Sequence, residues 1–140
     1  MVIEVGCAQG LATEKLVARA GLVVALDKSA EMVHLARQRL AERDNLKLLE
    51  ADATDPTWPG LFVGRAELIF LDVGGAAPAK QAIALLRDYR DLYLPRAVVV
   101  RNLELADLIG AVVYWEGGAP AEWRKPPIPH LEWPWRTDTG

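Results

Sequence analysis

The apolar positions of this chain fall into short β-branched runs, separated by stretches in which apolar residues recur every three or four positions. The first pattern suits strands buried on both faces and the second suits helices with one buried stripe. Their alternation is the mark of βαβ units around a parallel sheet. The runs predict strands at Val2–Val5, Leu22–Leu26, Leu46–Leu49 and Ala66–Leu71, and a buried fifth within Arg96–Arg101 centred on Ala97-Val98-Val99-Val100. Helical spacing predicts a helix from about Gly10 to Ala20, with Leu11, Leu16, Val17 and Ala20 facing the sheet and Gly21 as its stop. A second helix runs from a Ser29 cap to about Glu42 on Val33, Ala36 and Leu40, and a third from Ala79 to Leu92 through Ile83, Leu86 and Tyr89. Residues 52–64, with Pro56 and Pro59, read as a loop or short helix. Leu103–Ile109 predicts a fourth helix, and Ala111–Trp115 either extends it or forms a sixth strand.

The pattern changes after Trp115. The segment Glu116–Gly140 holds five of the nine prolines and three of the five tryptophans (Trp123, Trp133, Trp135). Proline removes the backbone donor that a sheet needs, so the expectation is a domain over 1–115 and an extended Pro/Trp-rich tail over 116–140. Tryptophans are frequent interface anchors, which makes the tail a candidate contact with its own domain, with a partner, or with a second copy in a homodimer. A length of 140 residues, 51% of them apolar, suits one core. The net charge of −3 gives no overall attraction to nucleic acid or anionic membranes, so a nucleic-acid partner would need a local patch such as Arg124, Lys125 and Arg136. The single cysteine excludes an internal disulfide, no apolar run approaches a membrane span, and no basic-then-apolar leader opens the chain. The expected location is cytoplasmic.

Candidate chemistry begins where the first strand ends. Val2-Ile3-Glu4-Val5 runs into Gly6-Cys7-Ala8-Gln9-Gly10, a turn of small residues whose backbone can approach a ligand closely. Asp27 closes the second run, where a carboxylate can accept from both hydroxyls of a ribose. The alternative role for Asp27 is an acid at the start of the next helix, favoured by the helix dipole. A dinucleotide fingerprint would require glycines at relative positions one, three and six, and counting from Gly6 those positions hold Gly6, Ala8 and Leu11. The spacing fits that template badly.

Glu4, Gly6, Ala8 and Gly10 instead match an acidic-x-Gly-x-Gly-x-Gly pattern with Ala8 in place of the middle glycine. In this the chain resembles class I, Rossmann-like S-adenosylmethionine-dependent methyltransferases. The resemblance implies a three-layer α/β sandwich with a mostly parallel sheet of order 3-2-1-4-5, its terminal antiparallel hairpin reduced or missing. It implies S-adenosyl-L-methionine as cofactor, bound by Glu4, Gly6, Cys7, Ala8, Gln9, Gly10, Asp27, Lys28, Asp52, Ala53 and Asp72. Glu4 would organise the turn and, through water, meet the methionine amino group, while Cys7, Ala8 and Gln9 would supply backbone amides. The methyl of Ala8 would be accommodated by a negative φ. Asp52 would receive the adenine amine, with Leu26, Met32 and Trp58 as candidate ring neighbours. Cys7 reads as a small buried thiol.

Asp72 is the candidate catalytic residue, placed between cofactor and methyl acceptor. The Asp72-Val73-Gly74-Gly75 stretch lacks the Asn/Asp-Pro-Pro-aromatic motif of relatives that methylate nucleobase amines. Arg101-Asn102 stands where catechol-type relatives have an Asp-Asn metal pair, so no metal is expected. His34 and His130 are too far apart to suggest one. The resemblance leaves the methyl acceptor unknown. Since the first strand begins at Val2, it also implies that the usual N-terminal cover is either absent or cut away. A non-catalytic or partner-dependent cofactor-binding module is the alternative reading.

Overall fold

The computed structural model describes residues 1–40, 43–74 and 77–111. Its strands are β1 (Val2–Val5), β2 (Val23–Asp27), β3 (Leu46–Glu50), β4 (Leu68–Leu71) and β5 (Ala97–Val100). All neighbours pair in parallel, in the order β3-β2-β1-β4-β5, as expected. β1 is central, with Val5 level with Leu26 on one side and Leu71 on the other. The helices are α1 (Leu11–Val17), α2 (Ala30–Arg39), α3 (Ala79–Tyr93) and α4 (Leu103–Ala111), and a short 3-10 turn covers Trp58–Leu61. The chain steps one way from β1 to β3 and the other way from β4 to β5. Right-handed crossovers therefore place α1 and α2 on one face of the sheet and α3 on the other.

Side chains alternate across the strands and build the two halves of the core. Ile3, Val5, Val24, Leu26, Ile69 and Leu71 pack with Leu85, Tyr89 and Tyr93 of α3. Val2, Val23 and Ala25 pack with Val17 of α1 on the opposite face. The Tyr93 hydroxyl donates to Pro56 O and ties α3 to the loop after β3. Asn45 Nδ2 donates to Val17 O and Ala20 O at 3.0 and 2.8 Å, satisfying carbonyls that the end of α1 leaves open. On the outer edge of the sheet, Arg37 Nη2 reaches Leu48 O at 3.4 Å. No helix among the described residues is long and apolar enough to cross a membrane.

Several expectations shift. Leu11 is 53% exposed rather than facing the sheet, and Thr13 is buried in its stead. Ile83 is also exposed, because the buried stripe of α3 runs through Ala79, Ala82, Leu85, Tyr89 and Tyr93. β5 is half-buried rather than buried, and among the described residues it has a strand neighbour on one side only. β4 starts at Leu68, two residues late: Ala66 N donates to Tyr93 O and Glu67 N to Met1 O. Ser29 caps α2 as expected, its hydroxyl accepting from Met32 N, and Val33, Ala36 and Leu40 are buried. Glu42, Gly75, the alternative for 112–115, His130 and the Pro/Trp-rich tail lie outside the described residues.

Candidate active site at the C-terminal edge of the sheet

The turn after β1 is built from three left-handed residues, Gly6, Ala8 and Gly10, at φ of +86°, +45° and +83°. Gly6 leaves no room for a side chain: a Cβ there would sit 1.9 Å from Asp72 O, so the turn rests directly on the end of β4. Ala8 departs from expectation. Its φ is positive, so its methyl is held in a conformation that costs about 1–2 kcal/mol for an L-residue. The turn is fastened from within. Gly6 N and Cys7 N both donate to Leu26 O at 2.8 and 3.0 Å, and Gly10 N donates to Cys7 O. Ala8 N donates to Asp27 Oδ2 at 2.9 Å. The Cys7 and Ala8 amides are thus already engaged by the protein.

Asp27 links the start of α2 to the glycine turn. Oδ1 accepts from Ser29 N at the start of α2 and Oδ2 from the glycine turn, and each carboxylate oxygen keeps lone-pair capacity for a further donor. Asp52, exposed after β3, accepts from Thr54 N and Oγ1 at 2.9 Å each. Those bonds, the backbone one first, hold its carboxyl below the usual carboxylate range. Between these groups lies a cleft of about 470 Å³, within the size range of small-molecule sites. Gly6, Ala8, Asp27, Lys28, Asp52, Ala53 and Asp72 line it, as does Leu26. Glu4, Cys7 and Gly10 are buried behind the turn and do not line it. Gln9 is exposed, its carbonyl accepting from Arg39 Nε at 3.1 Å, while Met32 and Trp58 are also off the lining. His34 lies on the exposed side of α2 against Gln38.

Glu4 is the most unusual group behind this floor. It is 1% exposed, and neither of its side-chain oxygens has a hydrogen bond. Burial pushes its pKa up to about 7, the charge of Asp72 adds to the rise, and the nearby Thr13 hydroxyl opposes it without reaching hydrogen-bond geometry. Burial, followed by the charges of Glu4 and Asp27, pushes the Cys7 thiol up to about 12. Cys7 is therefore protonated at neutral pH and is no nucleophile.

The far end of the cleft holds residues that linear patterning does not assign. Arg101 follows β5, and its Nη1 donates to Asp72 Oδ2 at 2.8 Å. Gln81 of α3, Thr54, Val73 and Gly74 complete the lining with Ala51. The loop after β4 is braced from the β5 side. Asn102, buried, donates from Nδ2 to Ala77 O at 2.7 Å and accepts from Leu105 N, and Glu104 Oε2 accepts from Ala79 N at 2.8 Å. The one cue in the sequence is that Arg101 and Asn102 directly follow a strand, which puts them on the same edge as Asp27 and Asp72.

A parallel sheet in this order, with a glycine turn after β1 and carboxylates after β2, β3 and β4, defines a nucleoside-binding α/β domain. The sequence model of the family described as "Methyltransferase domain" matches residues 2–92, and the chain belongs to that family of class I S-adenosylmethionine-dependent methyltransferases. Among relatives, the chain is 30% identical over 109 residues to "Ribosomal RNA small subunit methyltransferase A" of Moorella thermoacetica. That match covers 77% of this chain and 36% of the relative, so the chain spans little more than a third of its length. Among solved structures, it resembles magnesium protoporphyrin IX methyltransferase from Synechocystis PCC 6803 with bound SAM. There the identity is 25% and the TM-score 0.53, over 66% of this chain and 44% of that one. The fibrillarin/Nop5p complex shares the fold at a TM-score of 0.57 and 24% identity, over 66% of this chain and 43% of that one.

Proposed function

We propose that this chain is an S-adenosyl-L-methionine-dependent methyltransferase that holds its cofactor in the cleft along the C-terminal edge of the sheet. The observation that carries the reading is Asp27. Its half-buried carboxylate closes β2, faces the cleft and is tied by Oδ2 to the amide of Ala8 in the glycine turn. In this reading the remaining lone pairs of Asp27 accept from the ribose hydroxyls, and Lys28 flanks it. Asp52 receives the adenine amine, with Leu26, Ala51 and Ala53 as the apolar walls around the ring. Gly6, having no Cβ, lets the turn pack on Asp72 O beneath the methionyl end, and Gly10, Cys7 and Gln9 set the shape of the turn. When bound, the cofactor supplies an electrophilic sulfonium methyl. What the protein then contributes is alignment of the acceptor and exclusion of water. Asp72, at the end of β4, is the group placed to orient the acceptor or to take its proton.

The name of the Moorella relative puts RNA among the acceptors to assay. Asp72-Val73-Gly74-Gly75 lacks the prolines and ring that base-amine enzymes of the family use, which argues against a nucleobase amine. Calorimetry with S-adenosylhomocysteine and NAD tests the cofactor: binding of the first and not the second is expected, and the reverse refutes the reading. Asp27→Ala is expected to lower S-adenosylhomocysteine affinity by about 1–3 kcal/mol, with thermal unfolding checking that the turn survives. Transfer of labelled methyl from cofactor to any component of a cell extract separates an enzyme from a binding module.

A further inference from the structure

The five strand ends form a row marked by Asp52, Asp27, Gly6, Asp72 and Arg101, from β3 across to β5. Neighbouring strands lie about 4.8 Å apart, so the end of β5 is about 14 Å from the end of β2. If the nucleoside occupies the β3 and β2 ends and the methionyl group lies over β1, as proposed above, the β4 and β5 ends fall to the acceptor. Among the described residues, this end of the cleft carries one guanidinium, that of Arg101. Arg101 N donates to Leu71 O at 2.8 Å, which fixes its backbone to the sheet. Its Nη1 donates to Asp72 Oδ2 at 2.8 Å, and its side chain is 70% exposed while that of Asp72 is 16% exposed.

One of the five N–H donors of Arg101 is thus used to hold the fork in place. The side chain is otherwise largely exposed, and Gln81, on the first turn of α3, lines the same cleft. There is room for a ligand here: a Cβ built on Gly74, which lines the same end, would meet nothing within 4 Å. The amide of Ala79 at the start of α3 is already taken by Glu104, so side chains and not the helix terminus would do the recognising.

We propose that Arg101, held in orientation by Asp72 in the cleft that Gln81 also lines, anchors an anionic group of the methyl acceptor, a carboxylate or a phosphate. A guanidinium fork matches the paired oxygens of either group and holds them in one plane. The acceptor is then a molecule whose nucleophile sits a short distance from its own anionic group, with the arginine setting the distance between nucleophile and sulfonium. The inference rests on the methyltransferase reading, and its test separates the two.

The protein is loaded with S-adenosylhomocysteine and titrated with inorganic phosphate, with acetate and with neutral acetamide. The side-chain Nε–H resonance of Arg101 is followed, assigned by its loss in Arg101→Gln. Saturable movement with phosphate or acetate, none with acetamide, and at least a tenfold loss of anion affinity in Arg101→Gln are expected. Whichever anion binds more tightly identifies the acceptor's group. Arg101→Lys, which keeps the charge and loses the fork, is expected to fall between the two. Normal S-adenosylhomocysteine binding with no anion response overturns this proposal and leaves the methyltransferase reading intact. So does anion binding that persists in Arg101→Gln. A tenfold drop in S-adenosylhomocysteine affinity in Arg101→Gln assigns the arginine to the cofactor's own carboxylate and also overturns the proposal. Failure of the native protein to bind S-adenosylhomocysteine overturns both.

Discussion

Burial of Glu4 predicts that the stability of this fold depends on pH. The folded pKa of this residue is raised from 4.5 to about 7, so the native state binds a proton more tightly than the unfolded chain does. The associated stability is fully present below about pH 4.5, falls as pH rises, and is gone above about pH 7, in total about 3 kcal/mol. Glu4→Gln is expected to flatten the stability profile between pH 5 and 8 and to exceed the native protein in urea unfolding at pH 8. A profile still falling by the same amount in the variant would remove Glu4 as its source. Ala8 gives a second residue-scale prediction. With φ at +45°, Ala8→Gly relieves about 1–2 kcal/mol of backbone strain against about 0.4–1 kcal/mol of added unfolded-state entropy. A net gain of about 0.5–1 kcal/mol in urea unfolding is expected, and a loss would show that the methyl packs usefully in the cleft wall. Asp27, Asp52 and Asp72 are legible from the sequence because each directly follows a recognisable strand. Arg101 also follows a strand, but the resemblance reads it only as a missing metal ligand, and Gln81 is not legible because its place in the cleft depends on how α3 packs, which no local spacing encodes. The left-handed Ala8 is hidden for a similar reason: its strain is imposed by the docking of Gly6 on Asp72 O and of its own amide on Asp27.

At the scale of elements, the strands were easy to read and the helix faces were not. The β-branched runs place every strand to within two residues, since a short apolar run between polar turns has few alternatives. In α3, Ala82-Ile83-Ala84-Leu85-Leu86 is apolar throughout, so no polar residue fixes the phase, and the buried stripe lies one position away from Ile83. In α1 Val17 is buried as expected, and Thr13 is buried with it because tertiary structure sets it opposite Glu4. Two predictions concern element ends. Leu94 ends α3 in the left-handed region at φ +45° and is exposed, so Leu94→Gly is expected to raise stability by about 0.5–1 kcal/mol in thermal or urea unfolding. Asn102→Ala removes one hydrogen bond that braces the loop after β4 and one at the start of α4, and leaves Ala77 O and Leu105 N without those partners. A loss of about 2 kcal/mol is expected, along with faster amide exchange at Ala77 and Leu105. Unchanged exchange there would show that the loop is held by Glu104 alone.

At the scale of the molecule, the cleft exists because Met1–Gly110 forms one compact unit whose sheet brings five separate loops to one edge. A ligand that binds only this arrangement must stabilise it. S-adenosylhomocysteine at one hundred times its dissociation constant is expected to add about 2.7 kcal/mol, read as a higher urea midpoint at unchanged slope. A midpoint that stays put at saturating ligand would mean that the cleft is not part of the cooperative native fold. The contact between Gly6 and the Asp72 carbonyl bears on how such a molecule can diversify. There the two halves of the cleft meet backbone to backbone, with no side chain between them for mutation to enlarge or trim. Divergence within this scaffold can therefore exchange the side chains at Val73, Gln81 and Arg101, while the spacing between the ends of β1 and β4 stays inherited.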